Sequence, residues 1–475
     1  MNLFRFSFAI AILSFAIPTV AKRPNVILIM ADDLGYEALR CNGGTSYDKN
    51  YLDELARKGM RFTHCYSQPI CTPSRNKIMT GRSNARNYQA FGVLIPSEIT
   101  FGNIMKKAGY KTCVAGKWQL SGGNRKSPKG TTPAKCGFDE HCMWAYKHNL
   151  PEGVTHTGGW EGKNRTSRYW HPSIIQNGEY RPTTINDYGP DIYTKFIIDF
   201  IERNKDDELF VYYPMALTHG PFYPTPHSRD LSDDIKFKNV GKKYFNDMIS
   251  YTGHCVRRII ESLEKHGLDE NTLVLFTTDN GTHRSLVSWM GDRVVPGGKG
   301  LTCDAGCHVP MIAYWKGKIT SGSTCSDLIE FSDFVPTIAE LGNAELPNDR
   351  VLDGRSFLPQ LKGEKGNPRT SVFVHYDKTP DKEKPDFRRV RFAYNGKYKL
   401  YLDGRIFDVP NDVDERSPIK RESLSPEALS TIAMLQERLD SMPPWKPDNS
   451  LLKVFDPGIN FRNKQLEKYE TAKSK

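Results

Sequence analysis

The chain has 475 residues, 38% hydrophobic and 25% charged, with a mean hydropathy of −0.55. That is enough apolar material for a sizeable core in two or three domains, and too little for a membrane-embedded protein. Its 66 basic residues outnumber 55 acidic ones for a net charge of +11; they are scattered, with no zinc-finger spacing and no RNA-binding aromatic motif, which speaks for anionic ligands and against nucleic acid.

Residues 1–21 read as a signal peptide. Arg5 supplies the positive charge, Phe6 to Val20 is almost wholly apolar, and Thr19-Val20-Ala21 ends in a residue small enough for signal peptidase. Pro18 interrupts the run, which falls short of the ~20 residues a membrane span needs. Cleavage after Ala21 and export to the periplasm or the exterior are therefore expected, with no stable membrane span. Ten cysteines contain no CxxC, which argues against a redox motif or a zinc ribbon. After export, Cys136 with Cys142 and Cys303 with Cys307 are close enough in sequence to be candidate disulfides, and the connectivity stays open.

Val26 to Met30 is a short continuous apolar run, as in a buried parallel strand. Helical patterns follow at Asn50 to Lys58 and Pro96 to Ala108, then a strand at Lys111 to Ala115. Residues 119–190 break this rhythm. They are rich in Gly, Pro and aromatics, including Trp144, Tyr146, Trp160, Tyr169, Trp170 and Tyr180, and read as a long insertion over the active face. Alternation resumes with an amphipathic helix at Asp191 to Arg203, a strand at Leu209 to Met215 and a long helix at Lys243 to His266; strands at Thr272 to Thr277 and Val309 to Tyr314 follow. The pattern is that of an α/β fold around a large mixed, mostly parallel sheet flanked by helices. After about residue 365, four short strands with turn signals at Asn395-Gly396 and Asp403-Gly404 suggest a small antiparallel sheet. From Ser441 the chain is Pro-rich, then charged, and reads as a loosely held tail. The expected division is 22–365 for a catalytic domain and 366–475 for a C-terminal α+β subdomain with tail.

The chemistry gathers where strands end. Val26 to Met30 runs into Asp32-Asp33, Lys111 to Ala115 into Gly116-Lys117, Leu209 to Met215 into Thr218-His219-Gly220-Pro221, and Thr272 to Thr277 into Asp279-Asn280-Gly281. Open α/β sheets bind ligands at the carboxyl ends of strands. Any one polar strand end is ordinary; four in concert deliver three carboxylates, an amide, a lysine and a histidine to one edge. Asp32, Asp33, Asp279 and Asn280 are hard oxygen donors, a set suited to Ca²⁺ or Mg²⁺ rather than Zn²⁺. Pro73 suits a first helical turn, so Cys71 is expected near a helix N-terminus, where free N–H groups favour anions.

Cys71-Thr72-Pro73-Ser74-Arg75, followed by Thr80-Gly81-Arg82, is the signature of the type I, formylglycine-dependent sulfatases. The chain resembles that family over essentially its whole mature length. The flanking patterns Gly116-Lys117-Trp118, Thr218-His219-Gly220-Pro221, Thr278-Asp279-Asn280-Gly281, Gly298-Lys299-Gly300 and Asp353-Gly354-Arg355-Ser356 fall in the family's order. The resemblance implies an alkaline-phosphatase-like fold. It also implies that a maturating, formylglycine-generating enzyme oxidises Cys71, and that Asp32, Asp33, Asp279, Asn280 and the matured residue 71 hold a divalent cation, Ca²⁺ or Mg²⁺. A hydroxyl of the hydrated aldehyde attacks sulfur and the second hydroxyl expels sulfate. Arg75 stabilises the diol, Lys117 and Lys299 neutralise sulfate oxygens, and His219 with Lys299 protonates the leaving alcohol.

Two departures from the family stand out. Many relatives read Gly-Lys-Trp-His where this chain has Gln119, and Gln cannot act as a base near neutral pH; His283 is a candidate to compensate. Relatives often carry an Arg before the Val-Pro, where this chain has Asp304-Ala305-Gly306-Cys307-His308. The aromatic insertion and basic balance favour a sulfated carbohydrate, with aryl sulfates open. Two other readings compete. One is a phosphonate monoester or phosphodiester hydrolase of the same superfamily. The other, supported only by Gln119, is a protein that binds sulfated glycans without turnover.

Overall fold

The computed structural model describes residues 22–122, 129–148, 150–152, 154, 168–236, 241–383, 388–450 and 457–473. The expected signal peptide, 1–21, and Trp160 lie outside the described residues. In chain order the strands of the main sheet begin with β1 (Asn25–Ala31), β2 (Met60–Tyr66), β3 (Lys111–Lys117), β4 (Glu140–Trp144), β5 (Ile174–Gln176), β6 (Glu179–Arg181), β7 (Leu209–Pro214) and β8 (Thr272–Thr278). A separate hairpin, β9 (Val287–Met290) with β10 (Arg293–Pro296), follows, then β11 (His308–Tyr314), β12 (Ser323–Cys325) and β13 (Ile329–Glu330).

The main sheet has eleven strands in the order β12-β2-β11-β8-β1-β7-β3-β4-β5-β6, with β13 also on β2. Its centre, from β8 through β1, β7 and β3 to β4, is parallel. All seven residues of β1 are buried, as a central strand covered on both faces requires. Ile27, Ile29 and Ala31 point into one core, against the helices Gly189–Arg203 and Phe245–Lys265. Val26, Leu28 and Met30 point into the other, against the helices Phe101–Lys107 and Phe334–Leu341. This is the period-2 alternation of a strand read through a two-sided core.

The alternation outside the insertion is as expected, with refinements. The helix expected from Pro96 starts at Phe101, because the Thr100 side chain accepts from the Asn103 N–H and Asn103 reciprocates in a capping box. β11 runs antiparallel to both β8 and β2. The insertion is more than a cover: it supplies β4, β5 and β6, which extend the main sheet.

Past residue 365 the strands β14 (Val372–Tyr376), β15 (Val390–Tyr394), β16 (Tyr398–Tyr401) and β17 (Ile406–Asp408) form an antiparallel sheet in that order. One face, with Phe373 and Leu400, is closed by Ile432 and Leu435 of the helix Pro426–Asp440. The other, with Val372, Val374 and Tyr376, packs on Tyr66, Ile70 and Cys71. The small sheet therefore backs the start of the Cys71 helix.

The tail corrects the expectation from its composition. Pro457–Lys473 is a helix. Leu466 is buried, Arg462 bonds the Pro296 carbonyl and the Asp414 carboxylate, and Tyr469 meets Trp289 edge-on. Charged residues here dock through paired charges rather than an apolar stripe, which composition alone does not reveal. No helix among the described residues is long and apolar enough to cross a membrane.

Candidate active site

Cys71 opens a helix, Cys71–Thr80, whose ten residues are all buried. Ile70 enters in an extended conformation, and Gly81 ends the helix at φ +69°, where a Cβ would stand 2.9 Å from Val335 Cβ. Arg75 follows Cys71 by one helical turn, so both project from one face. At the end of β3, Gly116 has φ +123°, and a Cβ there would lie 2.1 Å from the Pro214 carbonyl oxygen. Only glycine lets β3 pass β7 this closely before delivering Lys117.

The predicted residues converge. The Asp32 N–H donates to the Leu217 carbonyl at 2.7 Å and the Asp279 N–H to the Ala31 carbonyl at 3.0 Å, which locks the exits of β1, β7 and β8 together. Arg75 reaches Asp279 at 3.1 Å and Asp32 at 3.4 Å and donates to the Lys117 carbonyl at 3.2 Å. Lys117 pairs with Asp32, and Lys299 Nζ lies 2.6 Å from Asp33 Oδ2. Asn280 Nδ2 donates to Asp33 Oδ1 at 2.9 Å. His219 Nε2 lies 3.7 Å from Asp33 Oδ2. Cys71 Sγ lies 3.4 Å from Gln119 Oε1. Two site residues, Asp33 at φ +61° and Gln119 at φ +52°, occupy the left-handed region, a local strain that clusters at functional sites.

The electrostatics are those of a buried, charge-dense site. Burial alone would raise Asp32, but Lys117 and Arg75 hold it below the usual carboxylate range. Asp279, buried beside Asp32, is pushed up to about 7. Burial pushes the Cys71 thiol above its ordinary value despite the opposing charges of Lys117 and Lys299, so at neutral pH it is a thiol rather than a thiolate nucleophile. Burial, then the charges of Arg168 and Lys299, hold His219 well below the imidazole range.

The donor set fits a hard divalent cation. Ligand atoms of Asp32, Asp33 and His219 all lie within 4.8 Å of one another. Two fully buried oxygens, Asp32 Oδ1 and Asn280 Oδ1, have no hydrogen-bond partner among the described residues, a costly condition that a bound cation relieves. The carboxylates of Asp32, Asp33 and Asp279 are balanced by Arg75, Lys117 and Lys299. Adding a divalent cation would leave the site positive and ready for an anion.

The sequence reading missed Arg168, which lies in the insertion without a motif to mark it. It is buried, sits over the Trp144 ring at 4.9 Å and contacts His219 Nδ1. A guanidinium only donates and the Gly220 carbonyl, also at Nδ1, only accepts, so the histidine tautomer decides which bond forms. It also missed a buried cluster behind the Cys71 helix. Lys77 donates to the Phe373 carbonyl at 2.8 Å and pairs with Glu330 at 3.3 Å, and Arg369 pairs with Glu330 and Asp333.

The two departures are also placed. His283 bonds Ser285 at 2.9 Å and meets Phe222 edge-on. His308 pairs with Asp304 at 3.2 Å, bonds the Thr63 carbonyl at 2.8 Å and stacks on Tyr36 at 4.0 Å. It is a strut between elements. All ten cysteines are unpaired thiols, including Cys136, Cys142, Cys303 and Cys307.

Comparison with known proteins follows this geometry. The sulfatase family model matches residues 24–344, and a model described as N-sulphoglucosamine sulphohydrolase, C-terminal, matches residues 298–442. Human arylsulfatase A is 33% identical over 407 residues, covering 81% of this chain and 75% of its own. The arylsulfatase of Hemicentrotus pulcherrimus is 30% identical, covering 80% and 67%. Among solved structures, Ps i-CgsB superposes with a TM-score of 0.71 at 23% identity over 95% of this chain and 99% of that one. The phosphonate monoester hydrolase of Agrobacterium radiobacter superposes at 0.61 and 18% identity, covering 88% and 95%. These likenesses give the alkaline-phosphatase-type fold, and the family match shows that this chain belongs to the sulfatases, which are sulfuric ester hydrolases.

Proposed function

We propose that the protein is exported and hydrolyses sulfate esters of carbohydrates, using a formylglycine made from Cys71 and a bound Ca²⁺ or Mg²⁺. The observation that carries this reading is Cys71 at the first turn of a buried helix, facing Asp32, Asp279, Lys117 and Lys299 while its own thiol is held protonated. A buried neutral thiol is a poor nucleophile, so oxidation of the residue is what gives this position reactivity. When present, the oxidised residue supplies the attacking oxygen, and the cation, held by Asp32, Asp33, Asp279, Asn280 and residue 71, supplies a Lewis acid.

The remaining steps belong to this chain's own side chains. The helix N-terminus at Cys71 and the charges of Lys117 and Lys299 bind and orient the sulfate oxygens. Arg75, fixed by Asp32 and Asp279, stabilises negative charge on the oxygen borne by residue 71. With Nδ1 accepting from Arg168, His219 carries an N–H on Nε2, the nitrogen that lies towards Asp33 and Lys299, and donates a hydrogen bond from there to the leaving oxygen, while the Lys299 ammonium beside it supplies the proton. Residues 366–475 act in this reading as a C-terminal subdomain that backs the nucleophile helix.

The experiment is inorganic sulfate release from a panel of sulfated sugars, sulfated polysaccharides and an aryl sulfate, with enzyme whose residue-71 peptide has the mass of the aldehyde. Release by the matured protein and none by Cys71→Ala is expected. Release retained in Cys71→Ala would sink the proposed nucleophile. Turnover of phosphonate or phosphodiester esters in place of sulfate esters would sink the substrate assignment.

A further inference from the structure

Two adjoining clefts lie where the C-terminal sheet meets the loop after Lys299. One is lined by Gly300, Thr302, Tyr401, Arg388, Arg405 and Arg462, among others, and encloses about 650 Å³ of empty space with its mouth. The second shares Arg388, Val390 and Tyr401 with the first, adds Arg389 and Arg391, and encloses about 530 Å³. The two share three lining residues, and the first comes nearest the active site at Gly300. Gly300 adjoins Lys299, and its N–H donates to the carbonyl of Pro69, two residues before Cys71, at 2.6 Å.

The acids in these clefts are already spent on cations. Asp414 pairs with Arg462, Glu415 with Lys399, Asp403 with Arg405, and Asp377, beside it, with Arg389. Two arginines are left over. Arg391 donates to His375 Nδ1 at 2.8 Å and the Pro443 carbonyl at 2.7 Å and meets no carboxylate. Arg388 is exposed and has no side-chain partner among the described residues. Arg462, only 4% exposed, also leaves its buried Nε without a partner. Guanidinium groups present planar pairs of donors that match the oxygens of sulfate and carboxylate.

We infer that these clefts bind a second anionic group, sulfate or carboxylate, of an oligosaccharide whose reacting sulfate ester sits at residue 71. The inference rests on the carbohydrate-sulfatase reading and narrows it: the substrate is a multiply charged oligomer rather than an isolated sulfated sugar or an aryl sulfate.

The test measures binding by calorimetry to the full-length Cys71→Ala protein. The probes are octasaccharides from heparin, chondroitin sulfate and carrageenan, a sulfated monosaccharide from each, and a single-stranded DNA octanucleotide. At least one octasaccharide is expected to bind tenfold or more tighter than its monosaccharide, and to weaken as salt screens the contact. Adding Arg388→Ala should cost that octasaccharide about tenfold, the scale of one charge-assisted hydrogen bond, and Arg388→Lys should recover part of the loss. Arg388 is exposed, so the variant keeps the fold, which the thermal midpoint checks. Equal octasaccharide affinity with and without Arg388, no gain of octasaccharide over monosaccharide, or tighter binding of the octanucleotide would each overturn the inference. Sulfate release by matured wild type alongside an inert Arg388 would refute the role of the clefts and spare the sulfatase reading. Arg388-dependent binding by a matured protein that releases no sulfate would do the reverse.

Discussion

Gln119→His is the substitution that tests the active site most directly. Gln119 Oε1 lies 3.4 Å from Cys71 Sγ, so it can hold a hydrogen bond from the group at residue 71 but cannot take its proton. Histidine Nε2 is the same number of bonds from Cα as glutamine Oε1, so the ring places a base where the amide oxygen now sits. The backbone permits the exchange, since residue 119 has φ +52° and histidine is among the side chains enriched in that region. Lys117, two residues away, favours the neutral imidazole, the form that accepts a proton. A positioned general base contributes roughly 10²–10⁴-fold. Because Gln119 already supplies orientation, the low end applies, and kcat should rise by about 100-fold with a smaller change in KM. The assay is sulfate release at saturating substrate across pH 5–9, on preparations matched for aldehyde content. The sign follows from the base being active when neutral: the variant should gain a limb that rises with pH through the histidine's own pKa. An unchanged kcat and an unchanged pH profile in a folded, matured variant would refute the view that Gln119 limits turnover.

The other predictions concern stability. A chelator should lower the thermal midpoint, and millimolar Ca²⁺ or Mg²⁺ should restore it, by about 2.7 kcal/mol once the cation exceeds its Kd a hundredfold; a midpoint indifferent to both would remove the cation from the Asp32, Asp33, Asp279 and Asn280 site. Lys77→Met strands Glu330 beside a single cation, Arg369, and should cost roughly 3–5 kcal/mol in the denaturant midpoint, where a loss within experimental error would show the cluster to be dispensable. His308→Gln addresses pH. Burial would lower this histidine, but Asp304 outweighs it and holds the pKa above the usual value. The pair's stabilisation is therefore full below the unfolded histidine's pKa and fades as pH rises through the folded one. Wild type should lead the variant in urea midpoint at mildly acidic pH and lose that lead at alkaline pH; a lead that grows with pH would contradict the assignment.

The sequence by itself determined the elements that pattern and chemistry mark locally. The seven buried residues of β1, the capped helix after Asn50 and the four strands after residue 365 carry their periodicity in the chain. The rule that ligands bind at carboxyl ends of parallel strands was enough to bring Asp32, Lys117, His219 and Asp279 to one edge. Long-range partnership is what only the tertiary structure decided. β2 alternates buried positions with Arg61, Thr63 and His64, and only its pairing with β11, β12 and β13 makes it a strand of the main sheet. Arg168 looks like any loop arginine until the fold sets it on His219, and Lys77 acquires its role only when Glu330 and Phe373 arrive from some 250 and 300 residues away. The tail helix holds through Arg462 meeting Asp414 and Pro296. A charge shows its value in a sequence as its sign; what it stabilises depends on the counter-charge and the burial that folding brings to it.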